Sequence, residues 1–266
     1  WGMGEFWSLS TNERKRLMSI VKDQAKDWPV AAHISHTSLS DIIELMDYAK
    51  FLNYELLIIG APYFATRKPA QVVEFVKHIS KYTDLAIMYY NSPQFGTVLD
   101  SNDLNNIVEI ENVVGVKEAS FNKEISIAAH LELGTKAIIS TPDEWIFWEG
   151  NKQGFQQQVM FANTSDWRFD TPDNNSYVKF INKATKGIID NNLYENEIRN
   201  IKNISDKWWG KTVLDAGGVL PVALCKYWGE LVGMSSGCPR LPVIDLSDND
   251  KKDLKDELIK LGKLNI

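Results

Sequence analysis

Short apolar segments alternate with amphipathic helical segments along most of the chain, and this alternation constrains the fold more than any other feature. The apolar segments have the length of strands, and each is followed by apolar residues at helical spacing. Strands that alternate with helices through short links lie parallel and are joined by right-handed crossovers. The predicted strands are Val30–Ile34, Glu55–Ile59, Ala86–Tyr90, Val113–Lys117, Lys136–Ser140 and Gln157–Ala162.

The number and order of these strands favour an α/β fold of the (β/α)8 TIM-barrel class with a C-terminal helical extension. The segment that begins at Trp1 is typical of the loop after a strand, so we expect upstream residues to supply the missing N-terminal strands. We predict a barrel over residues 1–176, from the end of strand 2 onward. Residues 177–266 are predicted to form the last barrel helix and the helical extension. An open doubly wound sheet is the alternative, but no G-x-G-x-x-G follows a strand.

Charge and composition exclude several classes of function. The net charge of −6 gives no electrostatic support for nucleic-acid binding, and no apolar run is long enough to span a membrane. Two cysteines are too few for a disulfide framework, which favours a reducing cytoplasm. The four histidines show no metal-binding spacing, so we predict no metal.

The segment Gly115–Ser120 places a lysine, Lys117, at the end of a buried strand. Burial of an ammonium group removes its hydration and lowers its pKa. A neutral amine in a pocket is a nucleophile toward carbonyl groups. By itself the segment favours a surface lysine beside a strand.

A second strand end changes the interpretation of Lys117. The strand Ala86–Tyr90 ends in Tyr90-Asn91-Ser92-Pro93. Because the carboxyl ends of neighbouring parallel strands meet at one edge of a sheet, Tyr90 and Lys117 are expected to share a face. A tyrosine in that place can transfer protons.

These two segments resemble the dihydrodipicolinate synthase / N-acetylneuraminate lyase family of class I aldolases, and the resemblance extends over almost the whole chain. The matching segments are Trp1–Ser10 with Glu13-Arg14, Gly60–Phe64, Tyr90–Pro93, Gly115–Ser120, and Gly233-Met234 with Pro239–Pro242. The resemblance implies that Lys117 forms a Schiff base with pyruvate and that Tyr90 relays protons. It also implies an aldehyde as second substrate, no metal or organic cofactor, and a homotetramer.

The sequence departs from the family pattern at positions that bear on the substrate. Gly2 and Met3 replace a pair of threonines, although their backbone N–H groups could still hold a carboxylate. Phe64 replaces a tyrosine and removes a hydroxyl from the proton relay. Gln94–Gly96 occupies the loop where the synthase carries an arginine for its aldehyde substrate. The chain is therefore similar to a family member that is not a true dihydrodipicolinate synthase.

Further candidate substrate-binding residues are His33, Asn163 and Arg168. His33 replaces a small residue of the family pattern. Asn163 could hold hydroxyl groups, and Arg168 is the nearest candidate cation for a substrate carboxylate. Glu5 is predicted to hold backbone N–H groups rather than to act in catalysis. Several tryptophans near the last strands either line a pocket or pack the loops: Trp145, Trp148 and Trp167.

The resulting hypothesis is a pyruvate-dependent aldolase or lyase, of the hydratase-aldolase kind, acting on a bulky or aromatic aldehyde. A true synthase, a sugar-acid lyase and a dehydratase remain alternatives. A barrel that binds ligand without turnover is a further alternative, because hydroxyl groups are lost at Gly2, Met3 and Phe64.

Overall fold

The computed structural model of the chain describes residues 2–162, residue 170 and residues 174–264. The chain divides into two compact units. The sheet unit is Leu9–Phe161, and the helical unit is Trp1–Ser8 together with Ala162–Ile266. The boundary at residue 176 between barrel and extension stays a prediction. Asn163, Trp167 and Arg168 lie outside the described residues.

The sheet unit alternates strands and helices from end to end. Its elements in chain order are α1 Thr11–Ala25, β1 Ala31–His33, α2 Leu39–Phe51, β2 Leu56–Gly60, α3 Pro69–Ile79, β3 Ala86–Asn91, α4 Ser101–Val108, β4 Val113–Glu118, α5 Lys123–Leu133, β5 Ile138–Ser140 and α6 Trp145–Gln153. The strands pair in the order β1-β2-β3-β4-β5, and every pairing is parallel. This confirms the predicted α/β class and five of the predicted strands.

Local signals in the sequence account for the positions of several helices. Helix α1 begins after Ser10, whose hydroxyl accepts from the backbone of Glu13 while the Glu13 carboxylate accepts from Ser10, a capping box. The Ser38 hydroxyl caps α2 by accepting from the backbone N–H of Asp41. Pro69 stands at the first position of α3, where its missing N–H has no cost.

Strands buried on both faces form the core of the sheet unit. Both faces are apolar because helices cover a parallel sheet, so the strands are continuous apolar runs rather than alternating ones. Strand residues that are fully excluded from water include Leu57, Ile58, Ile59, Ile87, Tyr89 and Val116. The Tyr89 hydroxyl is buried and has no hydrogen-bond partner among the residues that the structure describes.

The predicted sixth strand, Gln157–Ala162, is wrong. These residues belong to the described part of the chain and form no strand. The Gln157 side chain accepts from Thr141 N at 2.6 Å and donates to Thr141 O at 3.1 Å. Phe161 N donates to the Ser140 hydroxyl at 2.8 Å. Side chains therefore take part in the hydrogen bonds that a strand ladder would make between backbones.

The described residues of the helical unit form short 3-10 helices at its start and five α-helices. Gly2–Gly4 and Phe6–Ser8 are 3-10 helices. The α-helices are α7 Ser176–Ala184, α8 Asn191–Leu193, α9 Arg199–Asp215, α10 Val222–Leu231 and α11 Asp248–Lys260, with a π-helical segment at Tyr194–Ile198. Across the described residues of both units, no helix has the length and apolarity needed to cross a membrane.

Candidate active site

The parallel register aligns four residues at the carboxyl ends of neighbouring strands. Gly60 of β2 pairs with Tyr90 of β3, Tyr90 with Lys117 of β4, and Lys117 with Ser140 of β5. Residues paired in this way point to the same face, and neighbouring strands lie about 4.8 Å apart. The structure thus brings Tyr90 and Lys117 together, as the two sequence segments predicted.

Lys117 is the only lysine among the described residues that is buried, with 2% of its surface exposed. Its Nζ lies 4.9 Å from the centroid of the Tyr90 ring. Burial removes water from the ammonium form and lowers the pKa of Lys117 well below its ordinary value. At a given pH, a larger fraction of this amine than of an ordinary lysine is therefore neutral, which is the form that attacks a carbonyl carbon.

The pKa of Tyr90 shifts in the opposite direction. Burial raises the pKa of Tyr90 to about 12, and a hydrogen bond with Ser92 acts in the other direction. The phenol is protonated near neutral pH and can donate a proton. A neutral amine beside a protonated phenol is an arrangement suited to forming an imine, because the oxygen that leaves must be protonated.

Phe95 forms an aromatic floor beneath Tyr90. It is 2% exposed and its ring meets the Tyr90 ring edge to face, with centroids 5.2 Å apart. A Cβ on Gly60 would lie 2.6 Å from the Phe95 ring, so only glycine at position 60 leaves room for it. The loop that lacks the synthase arginine therefore contributes a buried apolar ring.

His33, at the end of β1, completes this aromatic cluster. Its ring centroid lies 6.3 Å from that of Tyr90 and 6.3 Å from that of Phe95. Its backbone carbonyl accepts from Arg14 at 2.6 Å, and its Nε2 lies 2.8 Å from the Ser35 hydroxyl. Burial is the largest cause that holds the pKa of His33 well below its ordinary value, and the positive charges of Arg14 and Lys117 are among the others.

A buried polar network lies on the other side of β4 from Lys117. Glu118 accepts from Ser126, from Ser120 N at 3.0 Å and from Asn91 Nδ2 at 3.3 Å. Burial raises the pKa of Glu118, and these hydrogen bonds oppose the effect. Asn91 also exchanges two hydrogen bonds with the backbone of Leu99, which closes the loop that carries Phe95. Glu118 is thus structural, as alternation along the strand predicted.

The other predicted substrate-binding residues lie in varied surroundings. Gly2 is buried and Met3 half-buried in the first 3-10 helix of the helical unit. Phe64 is 84% exposed and has a left-handed backbone, with φ of 73°. Asn163 and Arg168 fall outside the described residues, so their roles stay predictions.

The Glu5 carboxylate binds a backbone N–H group and a lysine side chain within the helical unit. Its carboxylate accepts from Arg240 N at 2.9 Å and pairs with Lys226 at 2.9 Å. It is 7% exposed and has a φ of 52°. This is the structural role predicted for it.

Sequence reasoning missed two contributors to the site, Phe95 and Ser35. Phe95 follows Pro93 in a turn, and an apolar residue between a proline and a glycine was the available signal. Ser35 carried no signal, because one serine in a loop resembles any other. Among the described residues, no group of three side chains of His, Cys, Asp or Glu is placed to hold a metal ion.

Comparisons with known proteins agree on one family. The profile of the dihydrodipicolinate synthetase family matches residues 2–168. A 4-hydroxy-tetrahydrodipicolinate synthase from Chlorobaculum parvum is 26% identical over 268 residues, covering 97% of this chain and 83% of the relative. A 2-dehydro-3-deoxy-D-gluconate/2-dehydro-3-deoxy-phosphogluconate aldolase from Picrophilus torridus is 27% identical over 118 residues, which cover 44% of each protein.

Solved structures share the fold. An N-acetylneuraminate lyase from Mycoplasma synoviae superposes with a TM-score of 0.72 at 19% identity, covering 98% of this chain and 83% of the lyase. The E. coli K12 prophage protein YagE, solved in complex with pyruvate, gives a TM-score of 0.78 at 18% identity and covers 98% and 85%. At these identities the likeness establishes the fold, a TIM barrel with a C-terminal helical extension.

Proposed function

The chain belongs to the dihydrodipicolinate synthetase family of aldolases and lyases, and from this premise we propose that it is a pyruvate-dependent class I enzyme whose Schiff base forms on Lys117. The observation that carries the proposal is the buried Lys117 amine aligned with the Tyr90 phenol. The amine adds to the keto carbon of pyruvate, and water leaves as Tyr90 supplies a proton. The imine draws electrons from the adjacent carbon, where a carbon–carbon bond then forms or breaks through an enamine.

The proposal needs no metal or organic cofactor, since the lysine itself supplies the electron sink. Assignment of the pyruvate carboxylate to the backbone N–H groups of Gly2 and Met3 rests on the sequence resemblance. A homotetramer in the cytoplasm is proposed on the same resemblance and on the low cysteine count. Light scattering at micromolar concentration tests the assembly, and a 30.2 kDa species alone would contradict it.

The first prediction is a trapped adduct. After incubation with pyruvate and reduction by borohydride, we expect a pyruvate-sized mass increase on the peptide that contains Lys117. The rate should rise by less than tenfold per pH unit between pH 7 and pH 9, because the lowered pKa of Lys117 leaves more of the amine neutral. An ordinary lysine would instead become about tenfold more reactive per pH unit.

A matched control for the adduct is Lys136→Met, which removes an exposed lysine paired with Glu109. This variant should retain the adduct. A wild-type protein that gives no adduct on the Lys117 peptide would rule out the pyruvate reaction.

For the second substrate we propose a bulky or aromatic aldehyde. Support comes from the three rings of Tyr90, Phe95 and His33, of which Phe95 belongs to the loop that lacks an arginine. Trp145, with the Lys123 amine 5.0 Å from its ring centroid, is a further aromatic side chain, at the start of α6. Benzylidenepyruvates are the corresponding substrates in the cleavage direction.

The second prediction separates this reaction from that of a synthase, which the similarity to curated synthases over 97% of the chain keeps in contention. We expect turnover with an aryl aldehyde and no useful rate with aspartate semialdehyde, whose carboxylate requires a cation. A coupled assay that gives a synthase-level rate, lost in Arg168→Ala, would contradict this.

Assays with further substrates distinguish two other candidate functions. Cleavage of 2-dehydro-3-deoxy-D-gluconate would indicate a sugar-acid lyase, in keeping with the similarity to the Picrophilus torridus aldolase. An adduct without turnover of any substrate would indicate a ligand-binding barrel, in keeping with the hydroxyl groups lost at Gly2, Met3 and Phe64.

A further inference from the structure

A cavity of about 560 Å³ lies in the helical unit, and no residue of the candidate active site lines it. Its walls are Trp7 of the second 3-10 helix, the connection from α9 to α10, and residues 242–247. Most of the lining is apolar and includes the side chains of Leu220, Val222 and Ile244. Pockets that hold small organic molecules usually measure about 300–1,000 Å³ and are mainly apolar. The cavity therefore has the size and the lining of a small-molecule site.

Hydrogen bonds fix the walls of this cavity in place. Arg240, just before the third wall, donates from its backbone N–H to the Glu5 carboxylate at 2.9 Å and from its side chain to the Ser8 carbonyl at 3.1 Å. Lys226 of α10 pairs with the same carboxylate at 2.9 Å. Two walls are thereby joined to the segment that carries Trp7. A ligand would enter a cavity that already has its shape, which lowers the entropic cost of binding.

One wall contains a hydroxyl group that lacks a hydrogen-bond partner. Thr212 of α9 lines the cavity and is 8% exposed, and its hydroxyl bonds to none of the described residues. Among those residues, the side-chain atoms that are both unpartnered and fully buried lie elsewhere, so the exposed part of Thr212 includes its hydroxyl. Asp215 follows three residues later on the same side of the helix. A hydroxyl oxygen and a carboxylate are thus available to accept from one donor.

The charge around the cavity is negative. The described residues that line it include three aspartates and no basic residue. Lys211 bonds to Asp215 at 2.9 Å and to Asp250 at 2.8 Å. Lys251 bonds to Asp245 at 2.6 Å. Two lysines thus face three carboxylates among the described residues, so a cationic ligand complements the charge of the site better than a neutral or anionic one.

We propose that this cavity binds a small amphipathic amine, with an apolar or aromatic body against Trp7, Leu220 and Ile244 and an ammonium group between Thr212 and Asp215. The apolar walls account for the body, and the unpartnered hydroxyl and the surplus carboxylate account for the ammonium group. The inference goes beyond the function proposed above and does not depend on it, because none of these residues takes part in the Schiff-base reaction.

Calorimetric titration with two straight-chain compounds, phenylbutylamine and the neutral phenylbutanol, tests the chemical class of the ligand. The amine should bind more tightly by about twofold to tenfold, because a charge-assisted hydrogen bond is about twice as strong as a neutral one. Phenylbutyrate, which is an anion, should bind more weakly than either. Equal affinity for the amine and the alcohol, or no saturable binding of the amine at millimolar concentration, would overturn the proposal.

Single substitutions locate the ammonium group. In Asp215→Asn the preference for the amine over the alcohol should fall to near one. In Thr212→Val the affinity for the amine should fall about twofold to tenfold, the range of one hydrogen bond. Asp256→Asn is the matched control, because it also removes the acidic partner of a lysine four residues away but does not line the cavity. This control should keep the preference, and the same preference in Asp215→Asn would reject the assignment.

A substitution that fills the cavity identifies the site and its occupant. Ala216 lines the cavity and is exposed at the end of α9, so Ala216→Trp should block binding of the amine without disturbing the core. Lys117→Met alters the candidate active site and should bind the amine as the wild type does. Binding lost in Lys117→Met but retained in Ala216→Trp would place the amine in the active site and reject the proposal.

A second copy of the chain is the other occupant that the experiment can reveal. If the wild type binds no amine and light scattering shows a smaller particle for Ala216→Trp than for the wild type, the cavity holds part of another copy. That result would also reject the proposal. Binding of the amine by the wild type, lost in Ala216→Trp with no change in particle size, is the result we expect.

Discussion

Replacement of Lys117 by Met is expected to abolish turnover and at the same time to stabilise the protein. The thioether side chain has a similar length, cannot form an imine and has no charge to bury. We expect kcat/KM to fall at least about 10⁴-fold, since without the nucleophile the covalent route is lost. Loss of activity together with a gain in the free energy of unfolding would show that Lys117 is needed for activity and lowers the stability of the protein.

The stability gain should depend on pH, with a sign fixed by the lowered pKa of Lys117. Because the pKa of Lys117 is lower in the folded chain than in the unfolded chain, the unfolded amine binds more protons between the two pKa values, and unfolding there takes up protons. Wild-type stability therefore falls as pH decreases from the unfolded pKa toward the folded pKa. Lys117→Met lacks this loss. Each unit by which folding lowers the pKa of Lys117 corresponds to about 1.4 kcal/mol of stability lost at low pH.

Denaturant unfolding of both proteins between pH 6 and pH 10 measures the difference, which should shrink as the pH rises. Lys117→Arg is the matched contrast, because a guanidinium stays charged when buried. It should be inactive and less stable than the wild type. A Lys117→Met protein that is active, or that is less stable than the wild type at pH 7, would contradict the assignment.

The adjacent tyrosines of β3 provide the second large effect. Tyr90→Phe is expected to lower kcat and kcat/KM about 10²–10⁴-fold, the usual contribution of a positioned general acid. Tyr89→Phe makes the same chemical change one residue away, where the side chain pairs across the sheet with Ile59 and Val116 rather than with Lys117. Its activity should equal that of the wild type.

Tyr89→Phe should also be more stable, by about 1 kcal/mol, because it removes a buried hydroxyl with no partner among the described residues. Burial raises the pKa of Tyr89, so wild-type stability should decrease further above pH 10, where only the unfolded chain ionises this residue. The stability of the variant should decrease less above pH 10 than that of the wild type. Equal losses of activity in Tyr89→Phe and Tyr90→Phe would show that the effect is packing and not proton transfer.

Within the candidate site, the side chains proposed to act in catalysis and the polar side chains that hydrogen-bond behind them occupy opposite faces of β3 and β4. Lys117 and Tyr90 share one face, and Glu118 bonds to Asn91 behind them. Asn91 in turn fixes the ends of the loop that carries Phe95. The position of the aromatic floor is thereby coupled to the same strands that position the amine and the phenol.

The sequence by itself determined the order of the strands, their parallel pairing and the meeting of Tyr90 with Lys117. These follow from local patterns, since a buried parallel strand is a short apolar run and neighbouring strand ends share an edge. The capping box at Ser10 and Glu13 is local in the same sense. The position of Glu118 on the face opposite Lys117 followed from the two-residue period of a strand.

Only the tertiary structure decided the contacts between distant segments, because no periodic pattern in the sequence marks them. Gln157–Ala162 has the composition of a strand, but Gln157 bonds to the Thr141 backbone and no strand forms. Phe95 reaches Tyr90 because Gly60, on a different strand, leaves space for its ring. Ser35 joins two strand ends because its hydroxyl accepts from Gly60 N and lies 2.8 Å from His33 Nε2. Such contacts depend on where three segments meet, and this is a property of packing that no single stretch of the chain encodes.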